Sequence, residues 1–284
     1  MKVGFLLASH NLLIGNNVKN SILLLLPLLA LLSFACGSDD VIDQMSAEER
    51  FRLGMNKFND EDYLDAIEDF KIVTLQYQGS ALADDAQFYM ADSRFLREEY
   101  ILAAYEYEML LRTMPTSEYI SRARYRRAMC YYNLSPRSYL DQEHTRKAID
   151  EFQAFIEYHP TDTLVSAAEK MIVELHTKLA QKEFENGTIY MKMEYYKAAM
   201  VYFDLILEKY HDTPYAEPAL LKKVEALMNR KRFNEAKAEI EKFMSKYPNS
   251  QFKPEAEKLR SEILQKLSET QASVSGISGA TGRQ

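Results

Sequence analysis

The chain has 284 residues, of which 47% are hydrophobic and 27% charged, enough apolar material for one sizeable core. A formal net charge of −7 argues against a nucleic-acid partner, which calls for a basic stripe to neutralise phosphates. Of nine glycines only Gly54, Gly79 and Gly187 fall between residues 46 and 270, too few and too scattered to build a loop that cradles a nucleotide phosphate.

Taken in chain order, the first element is an address. Residues 21–35 form an apolar run behind Lys19, and the run is too short to cross a bilayer. At Cys36 the composition changes abruptly to Gly-Ser-Asp-Asp. The pattern is that of a lipoprotein signal peptide over residues 1–35, cleaved before a cysteine that carries the lipid. The alternative is an ordinary secretory signal with a coincidental cysteine. Each buried methylene contributes about 0.8 kcal/mol, so several acyl chains on Cys36 would hold the chain to a membrane by lipid alone. That covalent lipid is the one non-protein group expected, with no other cofactor and no metal. Residues 36–45 read as the acylated cysteine and its tether, and Cys130 is left as a lone packed thiol.

From residue 46 to 268 the chain repeats. Five alanines act as a ruler: Ala66, Ala103, Ala148, Ala199 and Ala236. Four residues after them stand Phe70, Tyr107, Phe152, Phe203 and Ile240, and three residues before them Tyr63, Tyr100, Thr145, Tyr196 and Phe233. Spacings of three, four and seven place these side chains on one helical stripe. Pro115, Pro160 and Pro248 follow twelve residues behind three of the alanines and end their helices. Twelve residues ahead of the ruler lie Gly54, Ala91 and Gly187, small residues that let two helices cross closely. The alanines are 37, 45, 51 and 37 residues apart, so the middle units carry insertions, one around Ser135-Pro136-Arg137 and one after Pro160. The predicted fold is all-α: a right-handed solenoid of about five helix pairs of the tetratricopeptide type over residues 46–268. Residues 269–284, rich in Ser, Gly, Thr and Gln, read as a disordered tail.

No catalytic constellation is present. The histidines stand singly, without metal-ligand spacing, and acidic pairs such as Asp84-Asp85 read as solvated helix faces. Four arginines lie between Arg122 and Arg127 and spread over more than one helix face, as a solvated or partner-facing surface would. The chain reads as a binding protein and not as an enzyme.

With a lipoprotein signal, five such repeats and the stretch Ser135-Pro136-Arg137, Leu140-Asp141-Gln142, Thr145, Ala148, Phe152 and Phe155 in an enlarged third unit, the chain resembles the BamD family, the repeat lipoproteins of the β-barrel assembly machine of the outer membrane. The resemblance implies a scaffold on the periplasmic face of the outer membrane. Its partners would be the barrel subunit, a BamA-like protein, and unfolded outer-membrane proteins awaiting insertion. It also divides the solenoid, with clients on the first repeats and the barrel subunit on the later ones. Repeat geometry then points Phe51, Met55, Phe58, Phe88, Asp92 and Phe95 at a concave wall as a candidate substrate groove. The more charged positions Lys192, Lys222, Lys223, Glu225 and Arg230 form a candidate partner-docking surface. Two other readings stay open. Cys36-Gly-Ser-Asp-Asp40 resembles an export signal of Bacteroidetes surface lipoproteins, which would make the chain a surface-exposed nutrient binder, and a general periplasmic envelope scaffold would carry the same repeats.

Overall fold

The structure is a computed structural model that describes residues 45–280, with side chains to residue 271. The signal peptide, Cys36 and the tether up to residue 44 lie outside the described residues. Among those described there are eleven helices and no strand. Five antiparallel pairs follow one another: α1 (Ala47–Asn59) with α2 (Tyr63–Gln76), α3 (Ala83–Leu96) with α4 (Tyr100–Thr113), and α5 (Ile120–Leu134) with α6 (Glu143–Tyr158). Then come α7 (Val165–Lys192) with α8 (Tyr196–Lys209) and α9 (Ala216–Asn229) with α10 (Phe233–Lys246). A last helix, α11 (Lys253–Ala280), covers the open face of the fifth pair. It stays helical to Ala280, so helix occupies most of the stretch whose composition suggests a disordered tail from residue 269. We call the first helix of each pair A and the second B.

The ruler holds in every unit. All five alanines, and the residue four positions after each, are wholly buried. Fully burying such aromatic and aliphatic side chains contributes about 1.5–3 kcal/mol apiece. The small residues opposite them are small for a steric reason. A Cβ added to Gly54 would stand 2.8 Å from the Phe70 ring, and one added to Gly187 would stand 2.6 Å from the Phe203 ring.

Two further features repeat. Three residues after the ruler, helix B carries a carboxylate that receives a cation from helix A. Asp69 meets Arg50 at 2.7 Å, Glu106 meets Arg94 at 3.3 Å, Glu151 meets Arg127, and Glu239 meets Lys223 at 2.6 Å. In the fourth unit this position is Tyr202, which instead stacks on Tyr190 with ring centroids 5.3 Å apart. Fourteen residues after the ruler stand Ser80, Ser117, Asp162, Thr213 and Ser250, one in every turn from helix B to the next helix A. Four of these side chains accept the backbone N–H two residues on, from Leu82, Tyr119, Leu164 and Phe252, which closes the turn and starts the next helix. Thr213 instead donates to the Tyr210 carbonyl. Pro218 and Pro254 lie in the first turns of α9 and α11, where a missing N–H costs little.

Contacts that skip a helix join A helices: α1 with α3, α5 with α7, α7 with α9, and α9 with α11. The A helices therefore crowd along an inner wall while the B helices diverge on the outside. Their divergence leaves clefts, such as one of about 510 Å³ lined by Leu75, Met90, Tyr105 and Met109 between α2 and α4.

Candidate functional site

The inner wall of the first units is less open than helix-face geometry implies. Phe88 is wholly buried, stacked on Tyr119 at 4.4 Å between ring centroids. Asp92 is 5% exposed and accepts a hydrogen bond from the buried Tyr107 hydroxyl. Phe51, Met55 and Phe58 are half-buried against the core of the first unit, with Phe58 edge-on to Tyr89 at 5.3 Å. Phe95 packs against Tyr100. The expected open row is therefore corrected at two of its six positions: Phe88 and Asp92 are buried and closed to a ligand, while Phe51, Met55, Phe58 and Phe95 keep part of their surface.

What covers this face comes from the next unit. Arg122 lies 4.8 Å above the Phe88 ring, and Arg126 lies 4.9 Å above Phe95 and 3.5 Å from the Asp92 carboxylate. Four residues apart on α5, these guanidinium groups share one side of the helix. Burial raises the Asp92 carboxyl above its ordinary range, against the opposing pull of the Tyr107 hydroxyl and the two arginines. Burial likewise raises the neighbouring Cys130 thiol to about 12, so it stays protonated and unreactive. The arginine-rich segment thus splits by function. Arg127 is a structural pin to Glu108 and Glu151, Arg124 stacks on Tyr158, and Arg122 keeps an exposed cationic face.

The later units offer a different surface. Of the five charged residues expected to dock a partner, three are engaged within the chain. Lys222 bonds to Glu225 at 2.7 Å. Lys223 bridges Asp204 at 2.8 Å and Glu239 at 2.6 Å, tying α8, α9 and α10 together. Burial penalises its ammonium, yet these two carboxylates outweigh the penalty and raise its pKa. Lys223 is a brace, and its assignment to a docking surface is corrected. Lys192 and Arg230 are exposed, at the A-to-B turns of units four and five.

Between these turns lies an apolar hollow of about 590 Å³ lined by Glu194, Tyr195, Tyr196, Ala198, Val201 and Arg230. Tyr195 is 59% exposed and Val201 65%, with Ile189 and Met193 exposed nearby. Large apolar side chains grouped at the surface mark interaction sites more often than scattered ones do. The sequence signal for this patch is positional. Two residues after the ruler the units carry Glu68, Tyr105, Asp150, Val201 and Ala238. Aligning the repeats on outward positions, and not only on the buried stripe, would have exposed Val201.

The third unit differs in its A-to-B connection. Residues 135–142 form a loop around the wholly buried Gln142. Its amide nitrogen donates to the carbonyls of Arg137 at 2.8 Å, Leu140 at 3.1 Å and Ser138 at 3.3 Å, and its amide oxygen accepts from Thr145 at 2.7 Å. Two lysines of α7 clamp the loop from outside, Lys178 at Ser135 Oγ (2.7 Å) and Lys182 at the Leu140 carbonyl (2.6 Å).

Residues 43–231 match the sequence model of the YfiO family, described as outer membrane lipoproteins, and residues 218–250 match a tetratricopeptide-repeat model. Among curated proteins the chain is similar to outer membrane protein assembly factor BamD of Rickettsia prowazekii, 27% identical over 215 residues that cover 76% of this chain and 85% of that protein. It is also similar to BamD of Vibrio cholerae, 22% identical over 212 residues that cover 70% and 88%. Among solved structures, a TPR-repeat protein from Bacteroides fragilis covers 77% of this chain and 97% of its own at 14% identity, with a TM-score of 0.43.

Proposed function

The chain belongs to the YfiO family of outer membrane lipoproteins, and we propose that it is a scaffold of the machinery that assembles β-barrel proteins in the outer membrane. Its curated relatives are outer membrane protein assembly factors. No helix among the described residues is long and apolar enough to cross a membrane, and in this reading the lipid on Cys36 makes the attachment at the periplasmic face. The role is binding, with no chemistry assigned to any side chain.

The observation that carries the reading is the apolar hollow at the edge of units four and five, rimmed by Arg230. Braces such as Lys223 hold its walls in place, so a folded partner meets a surface that needs little reordering. In this proposal the barrel subunit's periplasmic domains seat there. Unfolded clients meet the first three units, where Arg122 and the half-buried Phe51, Met55, Phe58 and Phe95 combine charge with apolar area. The test is co-purification of the barrel subunit from detergent-solubilised outer membranes. Val201→Asp with Arg230→Glu is expected to lower recovery of the barrel subunit about tenfold or more, as loss of central anchor residues does. Arg122→Glu is expected to leave that complex intact and to weaken crosslinking to unfolded outer-membrane proteins. Loss of the barrel subunit with Arg122→Glu alone, and none with the edge variant, would reverse the assignment.

A further inference from the structure

Two of the junctions between units are fastened by the same three-part staple. Its cation stands on helix A, one residue ahead of the position where helices A and B cross, at Ala128 and Val224. Its carboxylates stand five residues after the ruler of the preceding unit and three after the ruler of its own. Between units two and three, Arg127 meets Glu108 of α4 and Glu151 of α6. Between units four and five, Lys223 meets Asp204 of α8 at 2.8 Å and Glu239 of α10 at 2.6 Å. Each cation thus ties two successive B helices together. The Arg127 and Lys223 side chains are only 14% and 16% exposed, and ion pairs so shielded from water are screened less than open ones. The junction between units three and four is spanned by one helix instead. Ala168, Leu175 and Leu179 of α7 pack on unit three, while Ala180 and Phe184 pack on unit four.

Among the described residues the first junction has neither device. Its three staple positions hold Lys71, Met90 and Glu106. Met90 carries no charge, and Glu106 is taken by Arg94 and Gln87 of its own unit. Where the staple would lie, the cleft of about 510 Å³ opens between α2 and α4, with Lys71, Met90 and Glu106 in its lining. On the A side the contact is aromatic. Tyr89 of α3 packs on Phe58 of α1 at 5.3 Å and on Phe70 of α2 at 6.0 Å between ring centroids, and α1 touches α3. Apolar contact is non-directional and tolerates small rotations, whereas a charged bridge fixes the geometry of its partners. We infer that unit one turns as a body about the line where α1 meets α3, widening and narrowing the α2–α4 cleft, while units two and three stay fastened to each other. A terminal repeat leans on one neighbour, so this junction carries its support alone. The movement carries Phe51, Met55 and Phe58 toward or away from Arg122, and it does not depend on which partner the inner wall meets.

The test is the spread of distances between paired spin labels on the full lipoprotein in detergent micelles, read by pulsed electron paramagnetic resonance. Gln76→Cys with Arg112→Cys reports on the first junction, and Arg112→Cys with Glu157→Cys on the second. All three residues are exposed near the ends of B helices, and the buried, protonated Cys130 thiol stays out of the labelling. The first distribution is expected to be roughly twice as wide as the second. Lys71→Glu with Met90→Arg builds the staple on Glu106 and is expected to narrow the first distribution to the width of the second. Glu108→Gln cuts only the arm between units and leaves Arg127 on Glu151, so the chain keeps its fold while the second distribution widens. Should Met90→Arg unfold unit one, Glu108→Gln decides alone. Equal widths in the otherwise unaltered protein would overturn the movement of unit one. A first distribution still wide in a folded stapled variant, or a second one unmoved by Glu108→Gln, would overturn the staple as what holds the units together.

Discussion

Four of the A-to-B connections and the fifth perform one task by different physics. In units one, two, four and five the chain reverses over three residues, and the middle one lies in the left-handed region: Glu61, Glu98, Glu194 and Lys231, with φ of 59° to 65°. In each, the next N–H reaches back five residues to a helix carbonyl, as Glu99 does to Arg94 and Arg232 to Leu227, both at 2.9 Å. None of the four is glycine, so each turn stores about 1–2 kcal/mol of backbone strain. In unit three no described residue of the connection has positive φ, and a buried amide organises the loop. The stack on both sides fixes the helices firmly enough to impose strain on a short turn. A longer connection escapes that strain but needs its own small polar core.

That contrast can be broken at two points, and a third test bears on the B-to-A turns; they follow in falling order of effect. Gln142→Ala would leave carbonyls and the Thr145 hydroxyl without their partner in a buried site, and is expected to cost about 2–3 kcal/mol in urea denaturation. Hydrogen exchange should quicken first at the start of α6, because repeat stacks transmit little beyond nearest neighbours. A loss below about 0.5 kcal/mol would show that the loop does not depend on its amide.

Glycine should act with opposite sign on the two kinds of connection. Glu98→Gly and Lys231→Gly are each expected to stabilise by about 0.5–1 kcal/mol, since glycine adopts positive φ without penalty. Arg137→Gly has no such strain to relieve and should destabilise slightly by loosening the unfolded chain. Equal effects at all three sites, read from thermal midpoints, would erase the distinction.

The smallest effect concerns pH. Asp162 closes the B-to-A turn of unit three, and the Ser121 hydroxyl and the Leu164 N–H hold its carboxyl below the ordinary 3.8. A depressed carboxylate pKa contributes stability that is full above the unfolded value and is lost as pH falls through the folded one. Asp162→Ser would copy the turns at Ser80, Ser117 and Ser250, which do not titrate. The difference in stability between wild type and variant should change mainly below about pH 4, with a smaller change where His159 titrates, because the Asp162 carboxylate favours the protonated form of that ring. A difference that stays constant below about pH 5 would assign the effect to another group.

Much of the fold was legible because its determinants are local and periodic. The ruler alanines, their aromatic partners and the close approach at Gly54 and Gly187 follow from helical spacing alone, and each lies where that spacing puts it. Proline, present in three turns, was a weaker guide to the helix ends than the Ser, Asp or Thr two residues further on, which all five turns share. The interaction surface was less legible because exposure depends on neighbours distant in sequence. Phe88 has the spacing of a wall residue, but Tyr119 and Arg122 of the next unit lie over it. Lys223 reads as a surface charge until α8 and α10 each bring it a carboxylate.

The pattern of helix-skipping contacts also has a mechanical meaning. A stack that touches along its A helices and gapes along its B helices behaves like a hand fan, pinned at the inner margin and pleated at the outer one. Opening or closing the pleats changes the radius of the arc at small expense in core packing, because the clefts between B helices can widen before any buried side chain must move. A folded partner gripping the rim would hold the fan at one opening and turn a springy scaffold into a rigid one for as long as it holds on.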